Sequence, residues 1–410
     1  MEQVLTTPAG ISVSTALPQK RAGYRIDSID LLRGLVMVIM ALDHTRDFFH
    51  APAWTEDPLN LATTTPVLFL TRWITHFCAP LFVFLAGTSA WFQSSRKTKK
   101  ELSLFLIYRG LWLVFIEVAI INFAFSFDPH YGLIGLQTIW AIGISMILLG
   151  LAIWLPFSAI LAIGLLIVLG HNSLDFYEAE HTGDYGFMYS LLHRQGFFPL
   201  SNGHSLFVVY PFLPWTGLMM VGYCFGKLFT SYEGTQRKKI LTRLGIGIIL
   251  FFIALRATNL YGNPEPWAVQ KNTLFTFLSF IDTHKYPPSL LYMCMTIGPG
   301  ILFLAWAGNI KSRLSNIITV YGRVPFFYYV LHFYLIHLVS ALLSFTRGHS
   351  FAEGIHDASN FLPNFTYPNE GYSLWFVYVM WLLIVTALYP LCKWFSEYKK
   401  THKQWWLSYL

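Results

Sequence analysis

Charged residues are scarce in this chain of 410 residues. Asp, Glu, Lys and Arg together make up 12% of it, whereas about a quarter of a typical soluble domain is charged. Hydrophobic residues make up 55%, the mean hydropathy is +0.49, and apolar runs of roughly 20 residues, the length that crosses a bilayer core, recur throughout. The composition therefore excludes an ordinary soluble protein and predicts an all-α, polytopic integral membrane protein.

Cysteine is also scarce, and the four cysteines fall inside predicted spans without paired spacing. This pattern argues against a disulfide framework or a zinc site, so we expect packing roles for them and no bound metal. They are Cys78, Cys224, Cys294 and Cys392.

The sequence lacks Gly/Ser linkers, low-complexity tracts and clear internal repeats. We therefore predict one transmembrane domain, residues 25–396, between cytoplasmic tails at 1–24 and 397–410. The N-terminal tail has neither the apolar core nor the small-residue cleavage site of a signal peptide, which predicts that the first helix is an uncleaved anchor.

Hydropathy predicts ten spans, with edges uncertain by a few residues. The net charge of +7 comes largely from Lys and Arg in alternate loops and both tails. This is the positive-inside pattern, which places both termini in the cytoplasm and makes a nucleic-acid partner unnecessary. The predicted spans are 29–48, 66–92, 103–126, 133–153, 157–171, 207–229, 240–260, 288–308, 316–344 and 373–394.

Three outer segments are long and contain many aromatic, acidic and histidine residues: 172–206, 261–287 and 345–372. Loops of this length in a compact protein are usually functional. Amphipathic interfacial segments, whose Trp and Tyr mark the headgroup belt, are an equally good interpretation.

The predicted first span ends in an unusually polar stretch. Arg33 lies near its start, and Asp43, His44 and Asp47 lie near its end. Arg33 and His44 share nearly the same helix face, about 16 Å apart along the axis. His44 and either carboxylate are close enough in sequence to form a general-base pair, in which the acid orients the imidazole. Titratable groups at membrane depth favour a functional site, but a solvated helix end remains the alternative.

Five segments resemble, in the same order, the transmembrane acyltransferases related to heparan-α-glucosaminide N-acetyltransferase. Arg33 followed by His44 after ten residues also resembles a hallmark of membrane acyltransferases that modify bacterial surface glycans. The segments are "IDLLRGLVMVIMALDHTRDFF" (29–49), "APLFVFLAGTSAWF" (79–92), "LIGLQTIWAIGIS" (133–145), "LPWTGLMMVGYCFGK" (213–227) and "VYGRVPFFYYVLHFYLIHL" (320–338).

The resemblance implies transfer of an acetyl or other short acyl group from cytoplasmic acyl-coenzyme A to a glycan or amino sugar on the outer face. It also implies a bacterial cytoplasmic (inner) membrane and leaves a homodimer possible. The essential histidine of the heparan enzyme is best matched by His50 in "HAPAW", whereas the bacterial relatives match better at His44 and Asp47. We expect His44 to be the catalytic base, with Asp47 or Asp43 orienting it. His50 is the second candidate, either to relay the proton or to carry the acyl group briefly.

Other polar residues are candidates for the two substrates. Near the predicted cytoplasmic ends, Arg33, Arg109 and Arg323 could bind coenzyme A phosphates or simply be positive-inside anchors. Gln137 is a further candidate for the donor site or helix packing. For the acceptor pocket, the sequence offers His332, Tyr328, His337 and Trp54.

Acyl transfer from a thioester needs a base for the acceptor and donors for the developing oxyanion. The sequence has no Gly-x-Ser-x-Gly elbow and no evident Cys–His dyad, which favours direct transfer, although a transient acyl-histidine stays open. A transporter or channel is the rival class, but no inverted repeat or matched pair of broken helices supports it. A receptor or scaffold would explain the long outer segments but not the first helix.

Overall fold

The computed structural model describes residues 26–181, 183–308, 310–356 and 362–408. These residues form sixteen α-helices, three short strands and a π-helical turn at Glu117–Ile121. The strands are β1 (Leu133–Leu136), β2 (Gly196–Pro199) and β3 (Ser205–Val208). The helices are α1 (Asp27–Phe49), α2 (Pro66–Thr75), α3 (Cys78–Ser94), α4 (Lys99–Ile116), α5 (Asn122–Ser126), α6 (Thr138–Ala152), α7 (Phe157–Gly170), α8 (Ser173–Glu180), α9 (Gly186–Leu192), α10 (Phe212–Ser231), α11 (Gly234–Thr258), α12 (Thr273–Ile281), α13 (Leu290–Ala307), α14 (Arg313–Arg323), α15 (Pro325–Thr346) and α16 (Leu374–Thr401).

Seven helical segments in the described residues are long and apolar enough to cross a membrane, as expected for a membrane protein. Each coincides with a predicted span, and α1, α6 and α10 occupy the other three predicted positions. The ten-span topology and the cytoplasmic termini stay predictions. The seven segments are Pro66–Ser94, Lys99–Ser126, Phe157–Glu180, Gly234–Thr258, Leu290–Ala307, Pro325–Thr346 and Leu374–Thr401.

Several predicted boundaries are wrong. The predicted fourth span begins as β1, and its helix starts only at Thr138; the predicted ninth span is two helices, α14 and α15. Pro325 explains the break, because proline has no N–H to continue the ladder of α14 but is well suited to the first turn of α15. At the C terminus, α16 continues to Thr401, into the predicted tail, and the predicted tail at 1–24 lies outside the described residues.

α1 lies in the interior of the helix assembly and packs against α3, α14, α15 and α16. Its closest neighbour is α14, where Gly34 faces Ile318 and Gly322 faces Asp30. A Cβ on either glycine would overlap the backbone of the other helix. This contact fixes the backbone of α1 near its N-terminal end. The polar residues at its C-terminal end are positioned by other elements.

A small mixed sheet adjoins the C-terminal end of α1. β3 pairs in parallel with β1 and antiparallel with β2. Asn122, which follows the π-helical turn, holds β1 from the side: its amide donates to the Gly135 carbonyl at 3.0 Å and its Oδ1 accepts from the Gly135 N–H at 2.6 Å. Two of the long segments beside this sheet contain short helices, α8 and α9 in one and α12 in the other.

Candidate active site

A cavity of about 330 Å³ lies beside the C-terminal end of α1. Its walls come from elements far apart in sequence: α1, the α2–α3 pair, β1 with the start of α6, and the segment before α13. Residues 362–364 close part of the remaining side. The cavity therefore depends on tertiary packing and not on a single motif.

Buried ion pairs fix the carboxylates of α1. Asp43 is bonded by Arg72 of α2, whose Nη1 donates to Asp43 Oδ2. Arg46 Nη2 lies 3.5 Å from Asp43 Oδ1 and donates to Asp47 Oδ1 at 2.5 Å. Alternating charges therefore run from α2 along the last turns of α1, and the side chains of Asp43, Arg46 and Arg72 are largely withdrawn from solvent.

His44 lines the cavity beside this network. Its ring packs against Phe333 and His332 of α15, with ring centroids 4.2 and 5.2 Å away. Within the described residues its Nδ1 is buried and has no hydrogen-bond partner. Buried polar atoms without partners are rare and need an explanation, and catalysis is one of them.

The predicted pairing of His44 with a carboxylate is not formed among the described residues. Among the described residues, neither Asp43 nor Asp47 is hydrogen-bonded to His44, because Arg46 and Arg72 bind these carboxylates. The ring is instead oriented by packing against α15. The site therefore provides an imidazole whose Nδ1 has no hydrogen-bond partner in the described residues. This imidazole lies at the cavity wall, next to ion-paired side chains.

The family model for the catalytic region of heparan-alpha-glucosaminide N-acetyltransferase matches residues 25–261, which is more than half of the chain. The chain belongs to this N-acetyltransferase family. A search of curated proteins gave no match. Membership implies an acetyltransferase, in a chain whose described residues include seven helical segments long and apolar enough to cross a membrane.

In this family member, α1 to α11 fall within the matched residues, whereas α12 to α16 lie beyond them. The cavity uses both parts. His44, Asp43 and Arg72 come from the matched part, while Lys285, Tyr286 and residues 362–364 come from the remainder.

Two further predicted residues line the acetyltransferase's cavity. Gln137 precedes the first turn of α6, between β1 and the helix. Trp54 approaches from the segment after α1, packed edge-on against Phe125 with ring centroids 6.2 Å apart. The indole N–H of Trp54 is buried without a partner in the described structure, so it is available to a ligand.

The predicted pocket residues of α15 lie behind the cavity wall. Tyr328 stacks on His332 with ring centroids 5.4 Å apart, and His332 touches His44. His337 is wedged between two backbone carbonyls, with Nδ1 3.0 Å from the oxygen of Ala124 and Nε2 2.8 Å from that of Asn364. None of these three α15 residues lines the cavity that the described residues form. Their contacts are those of residues that hold the cavity wall in position.

His50 is placed apart from His44. It follows the last turn of α1, where its backbone forms an isolated bridge with Tyr372. Its side chain does not line the cavity formed by the described residues. The two candidate histidines therefore differ in place: His44 is at the cavity and His50 is beside the segment that leads into α16.

The three arginines predicted for the donor lie away from the cavity. Arg33 is near the opposite end of α1, where its guanidinium donates to Ser89 Oγ at 2.9 Å and to the Gly322 carbonyl at 3.4 Å. Arg323 follows Gly322 directly and is the last residue of α14. Arg109 is on α4, which packs mainly against α6.

Sequence reasoning missed several cavity residues. Arg72 and Lys285 are the clearest cases, and Tyr286 and Asp128 also line the wall. A signal existed for the first two: they are cations predicted on the outer side, against the charge bias that places Lys and Arg inside. For the others, the sequence carries no pattern that brings them to α1.

A group of possible metal ligands lies outside the cavity. Asp175, Glu178 and His193 bring ligand atoms within 4.8 Å of one another. His193 Nδ1 lies 2.8 Å from Glu178 Oε1, and the Tyr189 hydroxyl donates to the same oxygen at 2.9 Å. These hydrogen bonds account for the arrangement without an ion, and the absence of a metal stays a prediction.

Proposed function

We propose that the protein transfers an acetyl or other short acyl group from cytoplasmic acyl-coenzyme A to an amine or hydroxyl of a sugar on the outer face of a bacterial inner membrane. His44 is the general base. The observation that carries this proposal is a cavity-lining imidazole with an unpartnered ring nitrogen in a chain of an acetyltransferase family.

The charged neighbours of His44 support this role indirectly. Since Arg46 and Arg72 bind Asp43 and Asp47, the carboxylates hold the end of α1 in place and do not compete for the acceptor's proton. An imidazole without a carboxylate partner remains neutral more readily than a paired one. A neutral imidazole is the form that accepts a proton.

The donor is proposed to approach from the end of α1 that carries Arg33. The guanidinium of Arg33 lies where α1 meets α14, and Arg323 is the last residue of α14. Guanidinium groups bind phosphate well. The axial distance of about 16 Å from Arg33 to His44 would be spanned by the extended pantetheine arm of coenzyme A. Arg109 and Gln137 stay candidates for further donor contacts.

The acceptor is proposed to enter from the opposite side. A second cavity of about 620 Å³ shares Asp128 and His356 with the first and adds His130 and His204. This polar approach suits a sugar, and Trp54 at the inner cavity offers an aromatic face and a free indole N–H for its ring.

In the proposed reaction the acceptor amine or hydroxyl attacks the thioester carbonyl carbon. A bond from the acceptor nitrogen or oxygen to that carbon forms, and the C–S bond breaks as the tetrahedral intermediate collapses. His44 takes the acceptor's proton and returns it to the departing thiolate, so the products are the acylated sugar and free coenzyme A.

The test compares histidine variants of the full-length protein in detergent, with acetyl-coenzyme A and glucosamine as substrates. Loss of a general base typically costs about 10²–10⁴-fold in rate, so His44→Ala should lose turnover by that factor and still bind coenzyme A. His402→Ala, an exposed residue after α16, is the matched control and should keep its rate.

His50→Ala separates the two candidate bases. The structure predicts a small effect, because His50 lies off the cavity. Unchanged turnover in His44→Ala with a collapse in His50→Ala would transfer the catalytic role to His50. Unchanged turnover in the double variant would remove both histidines from the mechanism.

A further inference from the structure

Lys285 is a cation in the cavity wall that the proposed mechanism has not yet used. It lies between α12 and α13, on a wall of the cavity that is separate from α1 and its histidine. It also lies beyond residues 25–261, the part of the chain that the family model matches.

In the described part of the chain no carboxylate lies within ion-pair distance of Lys285, although its charge does act on Asp43. Asp43 and Asp47, the acidic residues nearest the base, are paired with Arg72 and Arg46. The ammonium of Lys285 lies 5.0 Å from the centre of the Tyr286 ring and interacts with the side chain of Tyr286. An ammonium has three N–H donors, so a contact with one tyrosine still allows Lys285 to donate to a ligand in the cavity.

The segment that carries Lys285 is held by hydrogen bonds on both sides. Asn263 Oδ1 accepts from the backbone N–H of His284 at 2.7 Å and from the hydroxyl of Ser289 at 2.9 Å. His284 Nε2 lies 2.9 Å from the carbonyl oxygen of Tyr286. The Tyr286 ring in turn packs edge-on against Tyr210 of the cavity wall, with ring centroids 5.2 Å apart.

This rigidity matters because catalysis by charge stabilisation needs a donor that is already in position before the reaction. The hydrogen bonds of this turn fix the backbone from which the Lys285 side chain reaches the cavity wall. Lys285 also faces the same space as His44 from another element, so a carbonyl between them can meet the base on one side and a cation on the other.

We propose that Lys285 is a catalytic residue that stabilises the oxyanion of the tetrahedral intermediate, an inference that rests on the proposed acyl transfer. When the acceptor adds to the thioester carbon, the carbonyl π electrons move onto oxygen, and the Lys285 ammonium donates a hydrogen bond to that oxygen. When the C–S bond breaks, the electrons return to form the new carbonyl. Lys285 keeps its proton throughout, and the acceptor's proton travels by way of His44.

The experiment measures acetyl transfer to glucosamine by the full-length protein in detergent for Lys285→Met and Lys285→Arg. Removing one oxyanion donor lowers kcat by about 10²–10³-fold, and we expect this loss in Lys285→Met, with partial recovery in Lys285→Arg, which restores charge and donors. Lys271→Met is the control, because Lys271 is an exposed lysine of the same outer segment that stacks on Phe275.

The division between kcat and KM decides the role. An oxyanion donor acts in the transition state, so the KM for glucosamine and the Kd of coenzyme A should stay within about 2-fold of wild type. A raised KM with unchanged kcat would overturn the proposal and make Lys285 an acceptor-binding residue. Unchanged kcat and KM in Lys285→Met would overturn it as well.

A second measurement separates this inference from the proposed function. A trifluoromethyl ketone analogue of acetyl-coenzyme A, whose hydrate carries a tetrahedral carbon, should bind Lys285→Met about 10²–10³-fold more weakly than wild type, with coenzyme A as the reference ligand. Equal binding of the analogue to both proteins would refute the role of Lys285. Failure of the wild-type protein to bind either ligand or to transfer acetyl would instead refute the proposed function.

Discussion

The buried pair of Arg72 and Asp43 gives a stability prediction with a worked magnitude. Arg72→Met removes the guanidinium but keeps much of the apolar stem. It leaves a buried Asp43 with Arg46 Nη2 at 3.5 Å and the more distant charge of Lys285. The side chains of Arg72 and Asp43 are 14% and 11% exposed, so water compensates little. Breaking a buried pair from one side costs about 3–5 kcal/mol, and because Arg46 remains we expect about 3 kcal/mol.

The interaction itself is measured by a double-mutant cycle with Asp43→Asn. The double variant no longer contains an uncompensated carboxylate, so it should be less unstable than the sum of the single variants, with a coupling energy of about 2 kcal/mol. Unfolding in mixed micelles can be followed by the fluorescence of the 14 tryptophans. Glu370→Gln, which alters an ion pair whose acid is 45% exposed, is the control and should cost less than about 1 kcal/mol.

The cycle can refute this reasoning in two ways. A coupling energy below about 0.5 kcal/mol would mean that Arg72 and Asp43 are effectively independent. A loss in Arg72→Met as small as that in Glu370→Gln would mean that water reaches the pair. Either result would contradict the claim that this network fixes the end of α1 beside His44.

Two further predictions concern topology and pH. Alkaline phosphatase fused after Ser190 should be active and fused after Thr235 silent, and the reverse pattern would move the cavity to the cytoplasmic side. Burial alone would lower the pKa of His284, but the hydrogen bond and charge of Glu265, 3.0 Å away, raise it above the ordinary value. The stabilisation is therefore complete below the ordinary pKa of histidine and is lost as pH rises through the raised pKa. In the wild-type protein, amide exchange in the segment 283–289, corrected for its intrinsic pH dependence, should accelerate as the pH rises through the raised pKa of His284. An identical pH response in Glu265→Gln would contradict this.

The sequence predicts the helical fold well because hydropathy is a local property. Each of the seven apolar segments matches a predicted span, since a run of about 20 apolar residues is recognisable without its partners. The predicted helix boundaries are wrong where tertiary contacts override the local hydropathy pattern. Nothing in "LIGL" shows that Asn122 will hold these residues in a strand instead of the first turn of a helix.

Only the residues of the candidate site that α1 carries are predicted from the sequence. His44, Asp43 and Asp47 stand out because titratable groups at the end of one apolar helix are energetically unfavourable in a membrane. The sequence also places them near one another, but their true partners come from other elements. Arg72 lies 29 residues from Asp43 along the chain, and its presence is the reason that the predicted contact of His44 with a carboxylate is replaced by ion pairs.

Arg72 and Lys285 are two cavity residues that the charge pattern of the sequence could have identified. A cation on the predicted outer side opposes the positive-inside bias, and burial of that cation needs a local reason. For Arg72 the reason is Asp43, which it neutralises within the protein. Lys285 is half-buried, and its charge acts on Asp43 without lying within ion-pair distance of it. The proposed oxyanion would be a direct partner for this ammonium during acyl transfer, and its absence between turnovers leaves the resting site ready for a neutral acceptor.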